Sequence, residues 1–408
     1  MIPDTRSDPA SGPVQPDAPA AANWWAVGAM TLGVFGLVTA EFLPASLLTA
    51  MAADLAVSEG AAGQSVTATA LVAAVAAPAL PLLTRRLDRR QVMFGLTLLL
   101  LLSNVLAVMA HTLSTLLVAR VVLGVALGGF WAMAAPLAMR LVPESLFPRA
   151  MSLILTGVSV ATVCAAPVGA WMGDTWGWRS AFMAAGAVSL LTLLAQLLSL
   201  PALKPRAQSD LQVLGHLLAR PGIRVVLLAV LLVISGHFAG FTYVRPLMEN
   251  VSHLSLSAIS AVLLAYGIGG FFGNLFGGYL AGRSERLAIM FGSVTIALLA
   301  ASLLVHGESA LVAAVAITLW GFAFAAFPVG FQIWIVRAAP DQAEGASGLL
   351  VAAFQVAIAS GAVGGGVLVD HMGALGAPLF ALVTMVLGAM LTWHRGPRIG
   401  QEPAGEAA

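Results

Sequence analysis

The chain has 408 residues, of which 60% are hydrophobic and only 9% charged, and its mean hydropathy is +0.95. Soluble domains carry roughly a quarter of their residues as charges, so the composition excludes a water-soluble globular protein. The single cysteine, Cys164, excludes internal disulfides and a cysteine-based metal cage, and a net charge of +1 leaves the argument to where the charges sit.

Residues 1–23 are rich in Pro, Ala and Asp and lack the basic start of a signal peptide, so they read as a disordered tail. Apolar runs of about 20 residues separated by short polar breaks follow, and such runs read as membrane-spanning helices. Twelve are predicted, near 24–50, 61–84, 91–110, 114–139, 149–172, 178–200, 223–247, 255–281, 287–306, 309–336, 344–369 and 373–393. The chain is therefore expected to be an all-α polytopic membrane protein with both termini on one side. The longest break, about 201–222, holds Lys204, Arg206, Asp210, His216 and Arg220. It divides the spans into an N-terminal six-helix bundle (24–200) and a C-terminal one (223–394), with a second tail over 395–408.

Charge placement orients the chain. With the N-terminus cytoplasmic, the cytoplasmic segments hold sixteen of the nineteen basic residues, from Arg6 through Arg85, Arg86, Arg89 and Arg90 to Arg395 and Arg398. The opposite side has only Arg179 and Arg245, and Arg120 lies within a span. That is a strong positive-inside bias. The short external loops carry Asp54, Glu59, Asp174, Glu249 and Glu308.

The halves repeat. "RLDRRQVMFG" (86–95) aligns with "RSERLAIMFG" (283–292) at an offset of 197, and "RLVPE" (140–144) aligns with "RAAPD" (337–341) at the same offset. A shared offset at two distant places implies two bundles related by an axis along the membrane normal, with a substrate site near the midplane between them.

Several polar groups lie inside spans. Glu41 is the only carboxylate deep in any of them. It is read as a proton carrier, against the alternative of a snorkelling or structurally paired acid. Pro44 cannot donate to the carbonyl of Ala40, which weakens the helix beside Glu41. Arg120 keeps its proton, so it either biases a nearby acid or substrate, or is a structural arginine bonded to carbonyls of neighbouring helices. It shares a face with Gly124, Leu127 and Trp131. His237 lies midway along the seventh span, nearly at the repeat position of Glu41, with Phe241 one turn later. It can share the proton work, donate to substrate, or be satisfied by a neighbour.

In the tenth span Trp320, Phe324, Phe327, Phe331 and Trp334 are spaced 4, 3, 4, 3. This is an aromatic face, read either as packing or lipid surface, or as a stacking wall for a planar ligand in which Trp320, Phe324 and Phe327 contact it. Asn104, Gln64, Asn274, Gln332 and Gln355 are further polar groups that serve as inter-helix glue or as ligand contacts. The sequence holds no P-loop, paired carboxylates, metal-spaced histidines or Ser/His/Asp set. No enzyme, cofactor, metal or nucleic-acid partner is expected, and the energy source is expected to be a proton gradient.

The wording of the chain resembles the drug:proton antiporter branch of the major facilitator superfamily. It includes "EFLPASLLT" (41–49), "SEGAAGQSVTATA" (58–70), "LGGFWAM" (127–133), "MRLVPE" (139–144), "AAPVG" (165–169), "FTYVRP" (241–246) and "DQAE" (341–344). The resemblance implies a major facilitator fold in a bacterial inner membrane, with both termini cytoplasmic. It also implies a monomer that exports purine ribonucleosides such as inosine and guanosine in exchange for protons. Glu41, Arg120 and His237 would couple protons; Gln64, Trp131, Phe241, Asn274, Trp320, Phe324, Phe327 and Gln355 would meet the cargo. The alternatives are a sugar or multidrug exporter of the same branch, an importer, or a non-transporting sensor or assembly subunit. The family's loop motif G-x-x-x-D-R-x-G-R-R reads "PLLTRRLDRR" (81–90) here. Pro81 and Arg85 replace its Gly and Asp, so an acidic cytoplasmic gate depends on Asp88. The fifth-span motif reads "CAAPVGAWMG", which keeps Pro167, Gly169 and Gly173.

Overall fold

The computed structural model describes residues 22–84, 86–143, 146–203 and 211–396. The expected disordered tails lie almost wholly outside the described residues, as do Arg85, Lys204, Arg206 and Asp210. All regular structure among the described residues is helical.

The first half comprises α1 (Trp24–Asp54), α2 (Glu59–Leu83), α3 (Arg89–Val108), α4 (Leu113–Leu141), α5 (Phe147–Trp176) and α6 (Trp178–Ser199). The second comprises α8 (Pro221–Thr242), α9 (Val244–Asn250), α10 (Leu256–Arg283), α11 (Glu285–His306), α12 (Ala310–Phe324), α13 (Phe327–Ala338), α14 (Ala343–Met372) and α15 (Gly376–Arg395). Among the described residues, twelve helical segments are long and apolar enough to span a membrane, with α12 and α13 making one of them. The expected all-helical chain with twelve spans is borne out.

Side-chain caps start many of these helices. Asn23, Asp88, Thr112, Ser255, Ser284 and Ser309 each accept a hydrogen bond from a first-turn N–H, which satisfies one of the donors a helix start leaves bare. The α5–α6 and α14–α15 turns use Gly177 (φ 83°) and Gly373 (φ 75°) at nearly the repeat offset. Outward faces are apolar: Leu98, Leu102 and Val105 on α3 and Phe271, Phe272 and Leu275 on α10 are all exposed. Patches of that kind need lipid as solvent.

Three departures from the expected elements have local causes. The seventh span stops at Thr242, and a separate short helix follows, because Pro246 has no N–H to return to Thr242. The tenth span breaks at Ala325–Ala326, because Pro328 cannot bond the carbonyl of Phe324. The linker holds an amphipathic helix, α7 (Leu211–Ala219), packed against α8 and α14.

The repeat shows in the loops as a difference of partners. Glu285 is buried and binds Arg337 through both carboxylate oxygens, at 2.7 and 2.9 Å. Its counterpart Asp88 instead caps α3 at Arg90 N (2.8 Å) and accepts from Leu203 N, which pins the exit of the sixth span. Asp88 is thus bonded within its own half.

The two halves are bonded to each other at the end opposite the termini. Asp370 accepts from Ser58 Oγ and from Gly60 N, each at 3.0 Å. Arg245 donates to Asp174 (2.7 Å) and to the carbonyl of Ser46 (2.6 Å), while Glu249 holds its Nε at 2.7 Å. Asn250 donates to Glu59 at 3.2 Å. The small residues of "SEGAAG" make room here, since a Cβ on Gly60 would strike the Asp370 carboxylate and one on Gly63 the hydroxyl of Tyr243. Midway along the halves, α10 and α5 touch backbone to backbone at Gly267, where a Cβ would lie 2.6 Å from Val163 Cα.

Candidate functional site

The site is built on the first and fourth spans of each half. In the first half α1 carries Glu41 and Pro44. Pro44 deprives the Ala40 carbonyl of its helical partner, and Arg120 of α4 supplies a replacement. Its Nη1 donates to Ala40 O at 2.8 Å, its Nη2 to Glu41 O at 3.3 Å, and its Nε to Ser65 O of α2 at 3.2 Å. Arg120 is 1% exposed. A fully buried guanidinium needs acceptors for its whole fork, and backbone carbonyls of two helices provide them. The structure thus shows the carbonyl-bonded arginine that the sequence left as one of two readings. It also sets the Arg120 charge to act on the Glu41 carboxylate. That carboxylate is half-buried and makes no hydrogen bond to a described residue.

In the second half α8 carries His237, Phe238 and Phe241, and α12 carries Trp320 and Phe324. The Trp320 indole N–H donates to His237 Nδ1 at 3.1 Å. The imidazole stacks on Phe324 (3.5 Å between centroids, 9° between planes) and faces Phe241 at 5.8 Å and 13°. Tyr266 of α10 stacks on Phe241 at 5.3 Å. Phe42 of α1 reaches across from the first half, 5.5 Å from Phe241 and 6.4 Å from Phe238. Because Phe42 follows Glu41, it joins the charged pair to the aromatic cluster. Offset and edge-on ring contacts of this kind are each worth about 0.5–1.5 kcal/mol beyond burial.

The cluster is nearly closed. A cavity of about 20 Å³ lies among Gly240, Phe241, Val244, Tyr266, Ile317 and Trp320, room for about one water. Of the aromatic face, Trp320, Phe327, Phe331 and Trp334 are buried and Phe324 is half-exposed. The face is not one continuous helical stripe, since the break at Ala325–Ala326 divides it between α12 and α13.

The structure therefore brings together Glu41 with Arg120, and His237 with Phe241, Trp320, Phe324 and, edge-on to Phe324, Phe327. The other expected contacts stand apart from this group. Gln64 donates to its own helix at Gly60 O (3.3 Å). Trp131 packs into the core of the first half, and Asn274 is exposed on α10. Gln355 is buried on α14, and its Oε1 has no partner among the described residues. Phe42, Phe238 and Tyr266 were not read from the sequence; the place of Phe42 beside the one deep acid was a signal for it. The inter-half bonds were also missed, although Arg245 stood out as a rare basic residue opposite the termini. Its side chain is 4% exposed. Burial works against its charge, but Asp174 and Glu249 outweigh that and hold the guanidinium above the ordinary arginine value.

Comparison with known proteins agrees with this architecture. Residues 30–362 match the Major Facilitator Superfamily. The chain is 42% identical over 378 residues to the purine ribonucleoside efflux pump NepI of Salmonella paratyphi B, spanning 91% of this chain and 95% of that protein. It is 41% identical over 375 residues to the pump of the same name from Salmonella enteritidis PT4, spanning 92% and 94%. The crystal structure of a D-xylose-proton symporter superposes with a TM-score of 0.76 at 16% identity, over 93% of this chain and 99% of that one. A bacterial homolog of the human lysosomal transporter Spinster, inward-facing and occupied, gives 0.74 at 16%, over 90% and 96%. These two likenesses carry the fold alone. With twelve spans in two repeated halves and a family match over most of its length, the chain belongs to the Major Facilitator Superfamily.

Proposed function

We propose that this protein exports purine ribonucleosides such as inosine and guanosine in exchange for protons, by alternating access between its two halves. The observation that carries the reading is the identity of about two residues in five to purine ribonucleoside efflux pumps, sustained over nine-tenths of both chains. The site is consistent with it. Planar bases stack on aromatic rings, and the Phe241, Trp320, Phe324 and Phe327 cluster lies beside Glu41 at the interface of the halves. Gln355 offers a buried oxygen from α14 that has no partner among the described residues.

Glu41 is the coupling group in this reading. Its carboxylate has no hydrogen-bond partner among the described residues and is partly accessible, and Arg120 is the fixed positive charge that acts on it. Arg120 cannot leave, because its fork is bonded to backbone carbonyls. A proton arriving on Glu41 removes the negative partner of a buried cation, and a cargo or a rearrangement of the halves answers that change. The proton gradient is the energy source, and the protein works as a monomer.

In this reading the termini face the cytoplasm of a bacterial inner membrane, and the positive-inside bias supports that orientation. The bonded end of the two halves is then the outer one, and the state described is closed to the outside.

The test is uptake of labelled inosine into inside-out vesicles with an imposed pH gradient. Gradient-dependent uptake, competed by guanosine, is expected. Uptake of a sugar or a cationic drug in place of inosine would select another member of the same branch. Absence of any transport with all three would favour a non-transporting role.

A further inference from the structure

The two halves place different chemistry at matching positions. Glu41 and His237 sit on the first span of their halves, nearly at the repeat offset. Their partners Arg120 and Trp320 sit on the fourth span. The first pair is charged; the second is aromatic and joined by one hydrogen bond.

That bond fixes the histidine's proton. An indole N–H can only donate, so the His237 Nδ1 that receives it at 3.1 Å must be bare. A neutral imidazole carries one N–H, which is therefore at Nε2. An imidazolium would point an N–H at the indole N–H, losing the bond and setting two donors face to face. The surroundings offer such a cation nothing in return. Phe324 and Phe241 cover the ring faces, Phe238 stands edge-on at 4.9 Å, and the nearest titratable neighbour from α10, Tyr266, lies behind Phe241. The Glu41 carboxylate acts on Arg120, and no described carboxylate acts on His237. His237 Nε2 makes no hydrogen bond to a described residue.

We infer that Trp320 locks His237 as a neutral Nε2–H donor, and that His237 gives that hydrogen bond to an acceptor atom of the cargo and carries none of the coupling protons. The inference rests on the purine reading above for the identity of the acceptor, and on the Trp320–His237 geometry for the lock. A fixed donor discriminates. N7 accepts in every purine, but at position 6 inosine and guanosine present an acceptor, O6, where adenosine presents a donor amine, so the discrimination arises when the acceptor is O6. His237 then favours 6-oxo purines and leaves the proton to the first half.

Two measurements on the full chain in lipid nanodiscs test this. The first needs no cargo. Histidine-¹⁵N spectra report each ring's tautomer and charge, and the His237 signal is identified by its loss in His237→Phe. The wild type is expected to keep a neutral Nε2–H ring from pH 8 to pH 5.5, where an ordinary histidine is about nine-tenths protonated. Trp320→Phe, which keeps a ring but removes the N–H, is expected to free Nδ1, so that the neutral ring divides its proton between the Nδ1–H and Nε2–H forms. A charged or Nδ1–H ring in the wild type at pH 5.5 would overturn the lock, as would a ring in Trp320→Phe that stays wholly in the Nε2–H form. The second measurement is binding. His237→Phe should weaken inosine by about tenfold and adenosine by less, while uptake remains driven by the pH gradient with a raised half-saturation concentration. Unchanged inosine affinity in His237→Phe, or loss of gradient dependence, would overturn the donor role. If the wild type binds no purine nucleoside, the cargo reading fails and the purine contact falls with it; the lock still stands or falls on the spectra.

Discussion

Pro44 leaves one carbonyl of α1 without a helical donor, and Arg120 reaches it from α4 at 2.8 Å. One residue's missing N–H thus becomes another's binding site. The two should be energetically coupled. Arg120→Ala removes three hydrogen bonds from a charged donor, each worth roughly 1.5–3 kcal/mol, and strands Ala40 O. Pro44→Ala restores an N–H to that carbonyl, so the double variant should be less destabilised than the sum of the singles by about 1–2 kcal/mol. Thermal unfolding in detergent measures the cycle; strict additivity would show that the Ala40 contact contributes nothing. Arg120→Lys keeps the charge but loses the planar fork, so part of the transport should survive. Glu41→Gln is expected to abolish uptake driven by a pH gradient while leaving expression and equal-pool exchange intact, since an amide cannot carry the proton. Gradient-driven uptake at the wild-type rate in that variant would remove Glu41 from the coupling step.

At the level of helices, the crossing of α5 and α10 sets how the halves approach. Gly267 meets Val163 and Thr162 backbone directly, so Gly267→Val must push the two helices apart. Transport should fall at least tenfold with surface expression retained, whereas Gly282→Val, with open space around it on the same helix, should be tolerated. Equal activity of the two variants in vesicle uptake would mean that the crossing is not rigid. The twelve spans were legible because each is a continuous apolar run. The breaks at Tyr243 and at Ala325–Ala326 were not, because apolarity continues across both, and only the prolines at 246 and 328 mark them. Glu41 was legible as a lone acid, and Arg120 as a lone buried cation. That they lie together, and that Trp320 bonds His237 across 83 positions, comes from packing between helices, which periodicity within a helix cannot report. Gln64 and Asn274 drew attention by residue type and Trp131 by sharing a face with Arg120, and neither signal says which way a helix face turns.

For the whole molecule, the bonds between halves gather at one end, around Arg245 and Asp370. Removing one partner of a buried ion pair costs roughly 3–5 kcal/mol, because it leaves a charge alone. Arg245→Ala should therefore shift the molecule toward a state open at that end. Spin labels at Ala56 and Met372, introduced after replacing Cys164 with serine, would show a longer distance component in the variant. The same distribution with and without Arg245 would mean that the bonds decorate a closure held by packing. The bare carbonyl beside Pro44 also bears on how the chain is made. Proteins emerge N-terminus first, so α1 and α2 are in the bilayer before Arg120 leaves the ribosome. An arginine meets an insertion penalty of about 2.5–3.5 kcal/mol at a helix centre and less toward the ends; Arg120, two turns into the fourth helix, arrives where an acceptor already waits, set by a proline translated 76 residues earlier. Order of synthesis and order of assembly then coincide, and the most awkward side chain of the first half is never left without a place to dock.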